Sequence, residues 1–341
     1  MTTRTGLQVS RFLSIFIIIA GLTLAPSVVN SDEERAFSAF IQQFATGRID
    51  WDQGIIYGTG RAYLDQNANS RPMAMRAAQL IAAGNILKLA AGVNLDDRRK
   101  LGELGNGNFV IHLKAFLRFV EHETRLVEDP ARPYYEVTRK THLTGISGLN
   151  MQILKQMKSG ADGFRIPATP TGPIEESEDA PWLVLDARNR PGLAQVQPAL
   201  FPKIATPAGS AVYEIGSINP AALEKRPMVS YVESVEDLKH LQSRHFPGSR
   251  IAELADLFLS PSPAIAQEGN IRKKRRRFIV KKAAGLQGLS KTNLVISQKD
   301  ALALQAEDAA SQILKNCRVI VIVSSPVGGV EGQLPRYLSV R

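Results

Sequence analysis

The stretch 159–181 divides the chain because it offers a folded core almost nothing to bury. It is rich in glycine and proline, includes the pair Glu175 and Glu176, and shows no hydrophobic periodicity. Such a composition is typical of a linker, so two domains that fold independently are predicted. The predicted divisions are a signal peptide at 1–31, a first domain at 32–158, the linker at 159–181, a second domain at 182–323 with a loop excursion at 247–277, and a flexible tail at 324–341.

The N-terminal residues have the pattern of a secretory signal. Arg4 and Arg11 supply positive charge without any acid, and the run 12–24 that follows is almost wholly apolar. This run is shorter than the roughly 20 residues that a helix needs to cross a bilayer. A cleaved signal peptide is therefore favoured over the alternative, a retained membrane anchor.

The end of this signal is predicted from side-chain size. Val29 and Ser31 fit a signal-peptidase site, so the mature chain is expected to begin at Asp32. Cys317 is the single cysteine, which excludes both a lipid anchor at the junction and an intramolecular disulfide. It lies among apolar residues and is predicted to be a buried hydrophobe. We expect a protein of the periplasm or outer envelope that is not lipid-anchored.

Hydrophobic spacing predicts an α+β fold for the first domain. Phenylalanines at helical intervals predict a helix over 32–48, and the apolar and aromatic stretch 54–64 predicts a strand. The alanine-rich run 73–91 predicts a buried helix, and 121–128 with 134–143 predicts a hairpin. The result is a small, mostly antiparallel sheet packed with helices.

The second domain is predicted to belong to the same class. The apolar run 182–185 predicts a buried strand, and 201–205 with 210–215 predicts a hairpin. Ser234 and Ser297 are candidate helix caps. The remaining predicted elements are helices over 234–245 and 298–315 and strands over 278–280, 292–296 and 318–323.

The motifs that would indicate an enzyme are incomplete. Gly58 and Gly60 resemble the start of a dinucleotide-binding loop, but Tyr63 occupies the third glycine position and no helix is predicted to start there. The histidines have no metal-ligand spacing. The chain is therefore interpreted as non-enzymatic, with no catalytic residue, cofactor or metal site.

Asp186 and Arg188 follow the predicted strand 182–185, at the kind of position where binding sites are often built. Two residues apart on an extended chain, they share one face. They are predicted to pair with each other or to contact the charges of a partner. An alternative function is a hydrolase of unknown substrate that uses Asp186, which would need a second acid or a nucleophile.

Positive charge is concentrated in one segment. The chain has 42 lysines and arginines against 32 acids. Consecutive cations are too costly to bury, so this segment is predicted to be a loop or an exposed edge that contacts anionic lipid or lipopolysaccharide. The alternative is a solvated edge without a partner, and nucleic acid is not expected for an exported protein. The candidate contacts are Arg272, Lys273, Lys274, Arg275, Arg276, Arg277, Lys281 and Lys282.

Several short motifs resemble a family of bacterial envelope proteins built on the twenty-kilodalton surface lipoprotein domain, which is also similar to part of the flagellar assembly proteins P and T. In the first half they are YGTGRA at 57–62, RAA at 76–78, LAAGV at 89–93, YEV at 135–137 and LTG at 143–145. The second half resembles the partner domain of exported members through LDAR at 185–188, PALFPKI at 198–204, VY at 212–213, NLVIS at 293–297 and CRVIVIV at 317–323.

This resemblance implies a binding or scaffolding component of a surface or periplasmic assembly, with no reaction attached. The implied partners are other envelope proteins or a second copy of the chain. Lipid-anchored members have a cysteine at the signal junction, and this chain has none there. The basic segment 272–282 is a further departure from the family pattern.

Overall fold

The computed structural model describes residues 40–64, 70–107, 117–158, 180–188, 195–233 and 278–324. The predicted signal peptide, nearly all of the predicted linker, the helix predicted over 234–245 and almost all of the tail lie outside these ranges. The boundaries of the domains therefore stay predictions. Among the described helices, none is long and apolar enough to cross a membrane.

The first half contains a five-stranded antiparallel sheet with the order β1-β2-β3-β5-β4. The prediction of a helix over 32–48 is wrong from Ile41 onward, where the chain forms a hairpin. Pairing of this hairpin with β3 satisfies backbone groups that a lone helix would bond internally. The strands are β1 (Ile41–Phe44), β2 (Gly47–Asp50), β3 (Ile55–Tyr63), β4 (Val120–Val127) and β5 (Tyr134–His142).

One long helix, α1 (Ser70–Gly92), packs across β3 and β5, which confirms the predicted strand 54–64 and helix 73–91. Gly58 and Gly60 lie on the side of β3 that meets this helix. A Cβ atom added at Gly58 would lie 2.6 Å from the carbonyl oxygen of Ala82, and one at Gly60 would collide with that of Ala78. The two glycines therefore allow close packing of helix on strand, and they form no nucleotide loop.

The second half contains two further sheets. Strands β10, β6, β13 and β9 form a parallel sheet in that order, and β11, β12, β7 and β8 form a mixed one. The α+β class is confirmed, but the expected antiparallel arrangement holds only at the β7–β8 and β11–β12 pairs. The strands are β6 (Trp182–Asp186), β7 (Ile204–Ala205), β8 (Ala211–Tyr213), β9 (Ser230–Val232), β10 (Phe278–Lys282), β11 (Gly285–Gln287), β12 (Asn293–Val295) and β13 (Val319–Ile322).

Three shorter α-helices and two 3-10 helices complete the described elements. The α-helices are α2 (Leu149–Lys158), α3 (Pro220–Lys225) and α4 (Gln298–Ser311), and the 3-10 helices are Leu101–Gly107 and Ile215–Ser217. The cap predicted for α4 is confirmed, since the Ser297 hydroxyl accepts a hydrogen bond from the Asp300 amide at 3.1 Å. This helix ends earlier than predicted, because Gln312 adopts a left-handed conformation with φ of 53°. Burial raises the pKa of the Cys317 thiol to about 12, as suits a buried hydrophobe.

A single hydrophobic cluster runs through both halves. The ring of Tyr231 in β9 lies 6.0 Å from that of Phe40 and 5.9 Å from that of Trp51, both at the start of the first half. The Asn94 carbonyl, just after α1, accepts a hydrogen bond from the Leu200 amide at 3.0 Å. This shared packing argues against the predicted independent folding of the two halves.

The tight contact between α1 and β3 generates a prediction. Gly60→Ala should lower the free energy of unfolding by about 1 to 3 kcal/mol, because the new methyl group must displace helix backbone. Gly84→Ala in the interior of α1 is the control, since a Cβ there meets no atom of the described residues within 4 Å. This change should raise the free energy of unfolding by about 1 kcal/mol, because alanine favours a helix more than glycine does. Chemical denaturation measures both. Equal destabilisation by both changes would contradict the packing argument.

Candidate functional site

The two polar residues predicted at the end of β6 lie together in the structure. The Arg188 guanidinium donates to Asp186 from Nε to Oδ1 and from Nη2 to Oδ2, each at 2.9 Å. The backbone amide of Arg188 also donates to Oδ1, at 3.2 Å. The predicted pairing is confirmed, and a contact of this pair with a partner stays a prediction.

Two members of the predicted basic segment fall within β10, and the other six, 272–277, lie outside the described residues. Lys281 donates to the Asp300 carboxylate at 2.7 Å. Hydrogen bonds from Lys281 and then Ser297 lower the pKa of Asp300. Lys281 is thus held in an internal ion pair, whereas the neighbouring Lys282 is exposed.

The carboxyl end of the parallel sheet brings Asp186 and Lys282 side by side, because they are partners in the register of β6 and β10. Ligands of α/β proteins often bind at this edge of a parallel sheet. Across the described ranges, no three histidine, cysteine or carboxylate side chains are grouped so that they could hold a metal ion.

A larger constellation lies on the side of the five-stranded sheet that faces away from α1. Side chains alternate along a strand, so the residues two apart from Tyr57 in β3 and from Tyr134 in β5 share this side. We name it the arginine–tyrosine face. Its members are Arg48, Tyr57, Arg61, Tyr63, Arg125, Arg132, Tyr134 and Lys140.

Three guanidinium groups on this face lie over tyrosine rings. The Cζ atom of Arg48 is 4.1 Å from the ring centroid of Tyr57. Arg132 lies 4.7 Å from the ring of Tyr63, and Arg61 lies 5.5 Å from that of Tyr134. The rings of Tyr63 and Tyr134 pack edge to face at 5.5 Å. Cation–π contact holds the long arginine side chains in place.

Glu136 in β5 connects the two neighbouring strands, β3 and β4. Its carboxylate accepts from Nε of Arg61 at 2.5 Å and from both Nε and Nη2 of Arg125. Burial acts to raise the pKa of Glu136, but the hydrogen bonds and charges of the two arginines outweigh it and hold the pKa below its usual range. The carboxylate therefore stays ionised and fixes both guanidinium groups.

The face keeps its positive character although Glu136 is bound within it. The side chains of Arg61 and Arg125 are 60% and 57% exposed, whereas that of Glu136 is 7% exposed. The register places two further carboxylates on this side: Glu123 opposite Thr138, and Asp50 opposite Ile55, where it is 3% exposed. The exposed guanidinium nitrogens can bind carboxylates of a second molecule in the bidentate geometry that arginine favours.

Sequence reasoning did not find this face because its members come from three separate parts of the chain. Arg61 and Glu136, for example, are 75 residues apart. A signal was nevertheless present, since Tyr57, Arg61 and Tyr63 occupy alternate positions of the predicted strand. Period-two alternation of large polar and aromatic residues opposite glycines indicates a sheet side that is not packed against a helix.

The buried carboxylate generates a pH-dependent prediction. Glu136→Gln should lower the free energy of unfolding at pH 7 by about 1 to 3 kcal/mol, because charge-assisted hydrogen bonds are lost. The pKa of Glu136 is depressed by folding, so its contribution is present at neutral pH and is lost as pH falls through the folded-state pKa. The wild type and the variant should therefore converge in acid.

Urea denaturation at neutral and acidic pH measures the difference. Glu224→Gln is the matched control, since Glu224 is exposed on α3 and forms no ion pair within the described ranges. If the free energy of unfolding of Glu136→Gln stays below that of the wild type by the same amount from neutral pH to below pH 3, the Glu136 carboxylate does not stabilise the fold.

Part of the chain is similar to one known protein family. Residues 182–250 and 261–325 match the model of the second domain of Treponema pallidum Tp0624. The match begins at the first residue of β6 and covers less than half of the chain, in the part that holds the parallel and mixed sheets. No curated protein matches the sequence.

Proposed function

We propose that this protein is an exported, non-enzymatic scaffold of the bacterial envelope, which binds an acidic protein partner through the arginine–tyrosine face. The observation that carries the proposal is the pair Arg61 and Arg125, fixed by the buried Glu136 while more than half of each side chain is exposed. Fixed, exposed guanidinium groups lose little conformational entropy on binding a carboxylate.

The shape of the face supports a protein partner rather than a small molecule. Strands β3, β5 and β4 together form a surface about 30 Å long and about 15 Å wide. Such an area is about half of the roughly 800 Å² that each partner contributes to a standard protein–protein interface. Small-molecule sites are instead concave.

The contacts of the tyrosine rings support a protein as the partner rather than a nucleic acid. Nucleic-acid bases bind sheet surfaces by stacking on exposed aromatic rings. Here guanidinium groups lie over the rings of Tyr57, Tyr63 and Tyr134, and Tyr57 is only 4% exposed, whereas Tyr63 is 51% exposed. The rings thus act to hold cations, and the cations face the partner.

The envelope location rests on the sequence of the first 31 residues, with its two arginines and short apolar run. Export would place the face among other periplasmic or outer-envelope proteins, with a second copy of the chain as an admissible partner. Asp186 forms an ion pair with Arg188, which explains this carboxylate as a structural group. This favours a binding function over the alternative, a hydrolase that uses Asp186.

Cross-linking in the native host tests the proposal. A photo-reactive amino acid at Glu123, which is exposed on β4, should give a covalent adduct with another protein. Reversing two charges of the face, with Arg48→Glu and Lys140→Glu, should reduce the yield about tenfold, because like charges would then oppose the acidic partner.

The matched control reverses two exposed cations elsewhere, with Arg98→Glu and Lys299→Glu, and should leave the adduct unchanged. A second control places the photo-reactive group at Leu302, which is 59% exposed on α4. The proposal fails if the face and the control reversals reduce the adduct equally, or if the face gives no protein adduct at all.

A further inference from the structure

A groove of about 620 Å³ lies between α1 and β5, on the side of the sheet opposite the arginine–tyrosine face. Three arginines from two elements line it, together with residues that are mostly apolar or uncharged. Its charged and polar lining is Arg71, Arg76, Gln79, Tyr135 and Arg139, and its apolar lining is Pro72, Met75 and Leu80.

The lining follows from the spacing of the two elements. Residues four apart on a helix are neighbours, so Arg71, Met75 and Gln79 form one row of α1. Pro72, Arg76 and Leu80 form the adjacent row. Tyr135 and Arg139 are four apart on β5 and therefore point to the same side of the sheet. Two rows of α1 thus face two residues of one strand.

The charges in this groove are only partly compensated by the described residues. The first turn of α1 holds no acid, and Arg71 there opposes the preference of a helix N-terminus for negative charge. No described residue forms an ion pair with Arg71, Arg76 or Arg139. One carboxylate lies close to them, since Glu121 is opposite Arg139 in the register of β4 and β5 and accepts a hydrogen bond from Gln79 at 2.9 Å.

Arg139 adds an independent observation. Its Nη2 donates to the carbonyl of Phe119 at 2.8 Å, which fixes the guanidinium group. Its Nε is buried and has no hydrogen-bond partner among the described residues. A buried donor without a partner is costly, and an anion bound beside it would relieve the cost.

Several apolar residues are exposed on α1. Met73 is 72% exposed, Leu80 is 66% exposed and Ile81 is 44% exposed. A soluble helix usually presents charged or polar residues to water. Exposed apolar side chains that lie together often mark a surface that binds a protein or a membrane, and arginines beside them favour a membrane that carries anionic headgroups.

We propose that this groove binds the phosphate headgroup of an anionic lipid at a bilayer surface, with the apolar side of α1 against the acyl boundary. Arg71, Arg76 and Arg139 supply the charge for the phosphate. Leu80 and its apolar neighbours distinguish a lipid from a free anion, because a free anion has no acyl chain to pack against them. This site shares no residue with the arginine–tyrosine face or with the basic segment 272–282.

Vesicle flotation tests the proposal on the full mature chain. The wild type should bind phosphatidylcholine vesicles that contain phosphatidylglycerol and should not bind vesicles of phosphatidylcholine alone. Arg71→Gln and Arg76→Gln should each weaken binding about fivefold. Leu80→Ser should weaken binding without changing its dependence on salt. All three residues are exposed, so thermal melts should be unchanged.

Matched controls exist for each change. Arg98 and Leu289 are exposed away from the groove, so Arg98→Gln and Leu289→Ser should leave vesicle binding unchanged. A triple change of Arg275, Arg276 and Arg277 to Ser tests the basic segment separately, and the proposal expects the groove variants to weaken binding in that background as well.

Three results would overturn the proposal. The first is vesicle binding that is lost only in the triple variant and is unchanged in the groove variants. The second is binding of inorganic phosphate, measured by calorimetry and sensitive to Arg76→Gln, alongside vesicle binding that Leu80→Ser leaves intact, since this would indicate a free-anion site. The third is equal binding to both kinds of vesicle.

Discussion

The alternation of side chains along β3 determines how the first half of the protein is built. On one side of this strand, Gly58 and Gly60 leave room for α1 to approach the backbone closely. On the other side, Tyr57 and Arg61 take part in a surface of fixed cations. The strand can carry both because neighbouring residues point to opposite sides of a sheet. The two proposed binding surfaces therefore lie back to back, which would allow one sheet to contact a lipid and a protein together.

The second half shares a hydrophobic core with the first half. Tyr231 of the parallel sheet is 1% exposed because Phe40 and Trp51 of the first half pack against it. Each half would expose apolar surface without the other, which is costly. The part that matches the Treponema pallidum domain thus shares a core with a part that lies outside the match.

Local patterns in the sequence predicted most helices and strands. Contacts between residues far apart in the chain could not be predicted from such patterns. The strand 54–64, the helix 73–91 and the cap at Ser297 depend on spacing and on a single side chain. The helix predicted over 32–48 was wrong from Ile41 onward, because phenylalanines at helical intervals also suit a hairpin whose pairing with β3 the sequence does not reveal. The parallel sheet and the ion pair of Arg61 with Glu136 join segments too far apart for periodicity to connect.

Chemical footprinting of arginines tests most directly whether the arginine–tyrosine face is a binding surface. Phenylglyoxal modifies accessible guanidinium groups, and mass spectrometry compares the purified protein with the protein in isolated envelopes. Arg61 and Arg125 should react in the purified protein and be protected in envelopes, whereas Arg98, with a side chain 81% exposed, should react in both. Equal modification of Arg61 and Arg125 in the two samples would contradict the account.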